Sequence, residues 1–273
     1  MEVIKSQNSD VAILGNIVVR RPRYVEAIAG VRREARVLPW LRDRLTLPVP
    51  QIQVVEVGDA IIALHPQLPG EPLCSVQNLS DSTKQHLATQ LGSFLKSLHE
   101  IEPVVLSNID LPRIDQRWWT NFLNQAERLV FPLVSSTTAE VLRSQIQAHI
   151  EQLPSLPCVL RHGDFGSGNI LWDGEKNITG IIDFGSLGWG DPGWDIAGLF
   201  VSYGSSFVEM LVTTYPEVEL LVERSPFYQL MFALMEAVFG AEQLDQEALD
   251  SGLDTLKLIT SGRFVRSHNG GKS

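Results

Sequence analysis

The sequence predicts an α+β chain in two parts: a small N-terminal lobe of antiparallel β-sheet with one helix, then a larger, mainly helical C-terminal lobe. Three observations carry this reading. Short β-branched segments joined by turn pairs fill residues 1–64, a proline–glycine stretch interrupts the chain at 65–70, and apolar residues at three- and four-residue steps dominate residues 71–273. At 273 residues the chain suffices for one large or two modest domains.

Residues 11–14 and 17–20 flank Gly15-Asn16 and read as a hairpin. A helix follows, because Ile28, Val31, Ala35, Leu38, Leu41 and Leu45 share one face. Pro39 should kink that helix or end it one residue earlier. Residues 52–57 and 60–64 form a second hairpin around Gly58-Asp59. In His65-Pro66-Gln67-Leu68-Pro69-Gly70 no element can continue, so the boundary between the lobes falls there. Beyond it, Ser82 and Gln85 have the spacing of a capping box, for a helix whose Leu87, Leu91, Phe94, Leu95 and Leu98 face inward. Helices are expected near 118–130 and 139–150, then a strand at 159–161. Residues 169–172 and 178–182 pair across Gly174-Glu175-Lys176-Asn177, and helices resume from 195 to about 259, including the apolar run 227–239. The tail from Ser261 is expected to fray, and there is no internal repeat.

The formal net charge of −10 disfavours nucleic acid and anionic membranes as partners and would attract a cationic substrate. The two cysteines, Cys74 and Cys158, are far apart and in no metal-ligand spacing, as expected of reduced thiols. Met1-Glu2-Val3-Ile4-Lys5 lacks the basic and apolar segments of a signal peptide. The longest charge-free apolar-leaning stretch, 196–208, is too short and too polar to span a bilayer. A cytoplasmic protein without membrane contact is expected.

The chemistry is concentrated in residues 161–197. Arg161-His162-Gly163-Asp164-Phe165-Gly166-Ser167-Gly168-Asn169 precedes the hairpin, Asp183-Phe184-Gly185 follows it, and Gly190-Asp191-Pro192-Gly193-Trp194-Asp195 comes next. A hairpin brings its open ends together, so Asn169 and Asp183 should lie side by side with Asp164 nearby. Two carboxylates and an amide oxygen are hard ligands, which suit Mg²⁺ with phosphate oxygens completing its shell.

These residues resemble the kinase catalytic loop, His-x-Asp with Asn five positions on, followed by Asp-Phe-Gly. The variant His162-Gly163-Asp164, with Gly190-Asp191-Pro192 and Asp195, is similar to the aminoglycoside phosphotransferase family, which includes macrolide phosphotransferase-like members, rather than to protein kinases. The resemblance implies a protein-kinase-like fold and an ATP- or GTP-dependent small-molecule kinase. It makes Asp164 the catalytic aspartate that accepts and orients the substrate hydroxyl, and gives Asn169 and Asp183 the Mg²⁺. His162 and Asp195 then brace the loop, and Asp191 is scaffold. A loose transition state asks mainly for positioning and charge neutralisation, so no strong base is needed at 164.

In the N-terminal lobe, Val18-Val19-Arg20-Arg21-Pro22-Arg23 resembles the strand of members that use Arg for the α- and β-phosphates, with Glu34 as its helix partner. Read blandly, these are a basic edge strand and a solvated helix face. The nucleotide base is expected along 64–67, which makes His65 and Gln67 candidates, and Leu68-Pro69-Gly70-Glu71-Pro72-Leu73 matches the phrase that follows the family's hinge. Two departures stand out. Lys5-Ser6-Gln7-Asn8-Ser9-Asp10 has no glycine where many nucleotide loops do, and the chain begins almost at its first strand. The second is read as a compact member, a shortened chain or a weakened nucleotide site.

The acceptor, a small-molecule hydroxyl compound, is expected to face Asp164 from the helices after Asp195, with Tyr228, Glu236 and Glu242 as candidates; Glu236 fits equally an outward position on an amphipathic helix. An aminoglycoside-like, macrolide-like or metabolite acceptor is compatible with these residues. The competing reading is a catalytically silent nucleotide-binding pseudokinase with a regulatory role. A metal-dependent hydrolase built on His162 is weaker, because the five other histidines are scattered.

Overall fold

The computed structural model describes residues 2–5, 9–58, 60–75 and 79–261, with backbone alone for 2–5. Most of the glycine-free loop (residues 6–8), Asp59 and the tail from 262 lie outside the described residues. The chain divides into two compact units, Met1–Pro112 with Cys158–Val222, and Arg113–Pro157 with Glu223–Ser273.

The first unit opens with β1 (Glu2–Lys5), β2 (Ser9–Leu14) and β3 (Ile17–Pro22), then helix α1 (Val25–Leu41), β4 (Gln53–Val57) and β5 (Ala60–Pro66). The strands form one antiparallel sheet in the order β1-β2-β3-β5-β4. Gly15, at φ 63°, supplies the left-handed residue of the β2–β3 turn. α1 runs through Pro39 to Leu41 instead of ending before it; in the last turn the proline removes one terminal hydrogen bond, too little to stop the helix. Leu45 therefore falls beyond α1, while Val31, Leu38 and Leu41 are buried as predicted. β5 likewise continues through His65 and Pro66, because β3 pairs with it up to Ile17 opposite Pro66.

Helix α2 (Asp81–His99) buries Leu87, Leu91, Phe94, Leu95 and Leu98 completely. Its cap is Ser80, whose Oγ accepts from the Thr83 N–H at 3.1 Å, two residues ahead of the Ser82 expected. β6 (Glu71–Pro72) joins β8 (Ile170–Trp172) and β9 (Ile178–Ile181) in a small sheet, and β7 (Val159–Arg161) pairs with β10 (Gly188–Gly190). α5 (Gly193–Tyr203), α6 (Ser205–Glu209) and α7 (Val218–Leu221) complete the unit.

The second unit holds α3 (Gln116–Leu129), α4 (Ser136–Gln152), α8 (Ser225–Gln243) and α9 (Gln246–Thr260). Asp115 and Ser135 cap α3 and α4 through side-chain oxygens. Gly252 allows α9 to lie against α8, since a Cβ there would stand 2.5 Å from the Ala237 nitrogen. Cys74 and Cys158 are both exposed. Among the described residues no helix is long and apolar enough to cross a membrane.

Phe94 stacks on Phe165 with ring centroids 5.7 Å apart, so the core of α2 reaches the residue beside Asp164. Phe94→Ala is expected to cost about 3–5 kcal/mol in urea unfolding, with an unchanged denaturant slope.

Candidate active site

The loop between β7 and β8 is held from below by Asp195, in the first turn of α5. Its buried carboxylate accepts from the backbone N–H of His162 at 2.7 Å and of Gly163 at 2.9 Å, and from His99 Nε2 at 3.1 Å. His99 Nδ1 in turn meets the Tyr215 hydroxyl at 2.9 Å. Burial works to raise the Asp195 carboxyl, but the His99 hydrogen bond and charge, with His162 and the Gly163 N–H, hold it below the usual carboxylate range. Asp191 caps the start of the same helix, accepting from Gly193 N–H at 3.0 Å.

His162 is likewise a brace. Its Nδ1 accepts from the Asp164 N–H at 3.2 Å, so its Nε2 carries the proton donated to the Ile182 carbonyl at 3.1 Å. Its ring packs against Phe184 and Phe165, leaving no exposed face for proton transfer. The loop is thereby tied to the residue that precedes Asp183.

Asp164 is exposed, and Asn169 clamps it: Asn169 Nδ2 donates to Asp164 Oδ2 and to its backbone carbonyl, each at 2.9 Å. Burial of its inner side pushes the Asp164 carboxyl up; His162 opposes this, Asp183 adds to it and Asn169 opposes it, for a net upward direction. Water at the exposed edge limits that rise. Asn169 and Asp183 stand at the open end of the β8–β9 hairpin, as the pairing of Ile170 with Ile181 and the Ile182 N–H to Asn169 carbonyl bond (2.9 Å) require.

Asp183 adopts the left-handed conformation, φ 62° and ψ 65°, which is rare for a residue with a Cβ. Its Oδ1 lies 3.4 Å from Arg20 Nη2. Arg20 is forked onto Glu34, Nη1 to Oε2 at 2.9 Å and Nη2 to Oε1 at 3.2 Å. The Glu34 side chain has no exposed surface, against 13% for Arg20. The bland reading of a solvated pair is thus replaced by a buried, bidentate one. Burial pushes the Glu34 carboxyl up to about 7, with Arg20 pulling it down and Asp183 raising it further. Burial also works against the Arg20 charge, but Glu34 and Asp183 outweigh it and raise that group. The two directions disagree about how firmly the pair is ionised; a carboxyl raised to about 7 is part-protonated at neutral pH, and the fork on both carboxylate oxygens favours the ionised pair above it.

His65 is buried, its Nδ1 donating to the Pro66 carbonyl at 2.9 Å, and burial lowers its imidazole. The Gln67 N–H donates to Asn16 at 2.7 Å, so that hinge donor is committed to the β2–β3 turn. A cavity of about 510 Å³ adjoins Leu64, His65 and Pro66. In the second unit, Tyr228 lies deep in an aromatic cluster with Trp119, His149 and Phe227. Glu236 is half-buried, and Glu242 is exposed and accepts from Gln125 Nε2.

Sequence reading passed over three residues that matter here. His99 and Tyr215 complete the Asp195 network but carry no local signal. Arg33, whose guanidinium donates to the Gly185 carbonyl, sits in a charge run that reads as a solvated face.

Among the described residues no group of three or more His, Cys, Asp or Glu is placed to hold a metal ion by itself. Asp183 and the Asn169 amide oxygen, whose Nδ2 is turned to Asp164, form a sparse, hard donor set. That set fits a cation that brings most of its oxygens with it, as Mg²⁺ does with phosphates.

A carboxyl raised from 4.5 to about 7 contributes stability that is fully present below pH 4.5 and is lost as pH rises through 7. Glu34→Gln removes this loss. The stability of the variant relative to the parent should therefore climb between those limits, by up to about 1.4 kcal/mol per pH unit, in urea titrations. A pH-independent difference would mean that Glu34 titrates as an ordinary acid.

Comparison with known proteins identifies the family and the fold. Residues 4–225 match the model of the phosphotransferase enzyme family. Viomycin phosphotransferase of Streptomyces vinaceus is 28% identical over 191 residues, a match spanning 68% of this chain and just under two thirds (66%) of that relative. The GDP and kanamycin complex of APH(2″)-IIIa superposes with a TM-score of 0.86 at 21% identity, covering 96% of this chain and 93% of the other. A macrolide 2′-phosphotransferase of type I gives 0.73 at 22% identity, over 93% and 90% of the two chains. The expected α+β, kinase-like fold is the one these enzymes share, and the chain belongs to the phosphotransferase enzyme family.

Proposed function

We propose that this phosphotransferase is a small-molecule kinase that moves the γ-phosphate of ATP or GTP onto a hydroxyl of an aminoglycoside-like, macrolide-like or metabolite acceptor. One observation carries the reading: Asp164 is exposed at the loop tip, with its Oδ2 and carbonyl clamped by Asn169 and its N–H fixed on His162. That leaves Oδ1 to receive a hydroxyl. The acceptor oxygen bonds to the γ-phosphorus, the bond to the leaving β-phosphate oxygen breaks, and the hydroxyl proton passes to the Asp164 carboxylate. In a loose transition state this carboxylate acts chiefly by orienting the hydroxyl, so a modestly raised pKa suffices.

Arg20, steadied by Glu34, supplies a planar cationic fork to the α- and β-phosphates. Mg²⁺ held by Asp183 and Asn169 would neutralise phosphate charge when bound. Residues 1–64 are read as the nucleotide lobe, 65–70 as the hinge and 71–273 as the catalytic and acceptor part. The base is assigned to the strand end at His65 and Gln67, beside the 510 Å³ cavity. Structures of relatives hold GDP, and one holds ATP with streptomycin, which supports a nucleotide donor of either kind. Kanamycin, gentamicin and viomycin in the relatives' names favour a cationic acceptor, in keeping with the −10 charge; Glu236 and Glu242 are the carboxylates nominated to meet it.

The deciding assay incubates the protein with aminoglycosides, viomycin, macrolides and sugars, each with ATP and with GTP, and looks for phosphorylated product by mass spectrometry. Mg²⁺-dependent nucleotide binding with transfer to none of them would leave the silent module. Asp164→Asn should lower transfer by about 10²–10⁴-fold while nucleotide binding survives; near-parental turnover removes Asp164 from the chemistry. Asp183→Ala should abolish the Mg²⁺ dependence of nucleotide binding in calorimetry, and an unchanged metal requirement would reassign that ligand.

A further inference from the structure

Asp183 is one of only two non-glycine residues among those described with positive φ, and a side chain in that conformation persists only where its neighbours hold it. On its N-terminal side the hold is visible: the Ile182 carbonyl accepts from His162 Nε2, and the Ile182 N–H donates to Asn169. On its C-terminal side the contact comes from α1. Arg33 Nη1 donates to the carbonyl of Gly185, two residues past Asp183. The approach that permits this bond is built from two glycines. A Cβ on Gly30 would stand 3.1 Å from the Gly185 carbonyl oxygen, and one on Gly185 would stand 3.2 Å from Glu34 Oε1 and 3.3 Å from Asp183 Oδ1. Helix and turn therefore meet backbone to backbone, with Arg33 and Glu34, adjacent on α1, gripping different parts of the same turn. Glu34 acts through Arg20 on the Asp183 carboxylate, and Arg33 acts on the main chain.

We propose that Arg33 is a positioning residue: by tying the Gly185 carbonyl to α1 it keeps Asp183 in its left-handed conformation and so aims its carboxylate at the divalent cation. This rests on Asp183 being a metal ligand, as proposed above. Arg33 touches neither nucleotide nor acceptor in this account. Its effect runs through the main chain of the Asp183-Phe184-Gly185 turn, and α1 and the cation site are thereby one mechanical piece.

The test is Arg33→Met, which keeps the apolar stem and removes the donors. In the metal-free protein, the amides of Gly185 and of Leu187, the latter bonded to the Phe184 carbonyl at 3.0 Å, should exchange with solvent about tenfold faster, while those of α2 are unchanged. The Mg²⁺ concentration giving half-maximal ATP or GTP binding should rise about tenfold. Arg33→Lys should fall between parent and Met variant, and it carries the same measurement should the Met variant fail to fold. Unchanged exchange and Mg²⁺ dependence, with or without a lowered melting temperature, overturns the proposal and reduces Arg33 to a packing role. Asp183→Ala measured alongside separates the two claims. If it loses the Mg²⁺ dependence while Arg33→Met keeps it, the positioning role alone fails; if it retains the parental requirement, the metal assignment falls and takes the positioning role with it.

Discussion

A fully buried carboxylate must be met by donors, and around Asp195 that demand shapes the loop that leads to Asp164. Two backbone N–H groups and a histidine converge on it, so the chain from His162 to Gly163 has little freedom. Asp164 follows immediately, and its orientation is inherited from a charge it does not touch. The αL turn of Gly163 (φ 88°) belongs to the same arrangement, since a Cβ there would stand 2.3 Å from the Ser186 carbonyl oxygen. Loop and turn are thus packed too closely for either to move alone.

From this anchor the site extends outward by links of different kinds. His162 couples the loop to Ile182 through its two ring nitrogens, one facing the Asp164 N–H and the other the Ile182 carbonyl. The β8–β9 ladder sets Asn169 beside the residue before Asp183. Arg20 and Glu34 then connect Asp183 to the sheet and to α1 by a buried fork. Such a pair carries a desolvation cost that makes it weak as a source of stability, while its geometry holds the Arg20 guanidinium in one place. The polar residues of the site are positioned by one another more than by apolar contact.

Much of this was legible beforehand, and for physical reasons. The inward face of helix α2 could be read because its five apolar positions follow one helical face, while its cap lay two residues ahead of the one expected. The hairpin could be read from β-branched runs and a turn, and hairpin geometry alone juxtaposes Asn169 and Asp183. Pairing of Arg20 with Glu34 came from resemblance, and its burial could not have been foreseen from a charge-rich helix face. Pro39 misled, because a proline's cost depends on how many hydrogen bonds remain beyond it. Tyr228 was singled out as an aromatic near the acceptor side, while the fold places it among Trp119, His149 and Phe227.

What the amino-acid order determined by itself is local: the helix faces, the hairpins, and the clustering of Asp164, Asn169 and Asp183 around one hairpin. Those follow from periodicity and side-chain chemistry, which act over a few residues. Only the tertiary structure decided that His99, Tyr215 and Arg33 join the site, since His99 reaches Asp195, Tyr215 reaches His99 and Arg33 reaches Gly185 across 96 to 152 positions of chain. It also decided that Asp183 sits in a left-handed turn pressed against α1. Contacts over such separations depend on how whole elements pack, and no short-range pattern in the sequence encodes that packing.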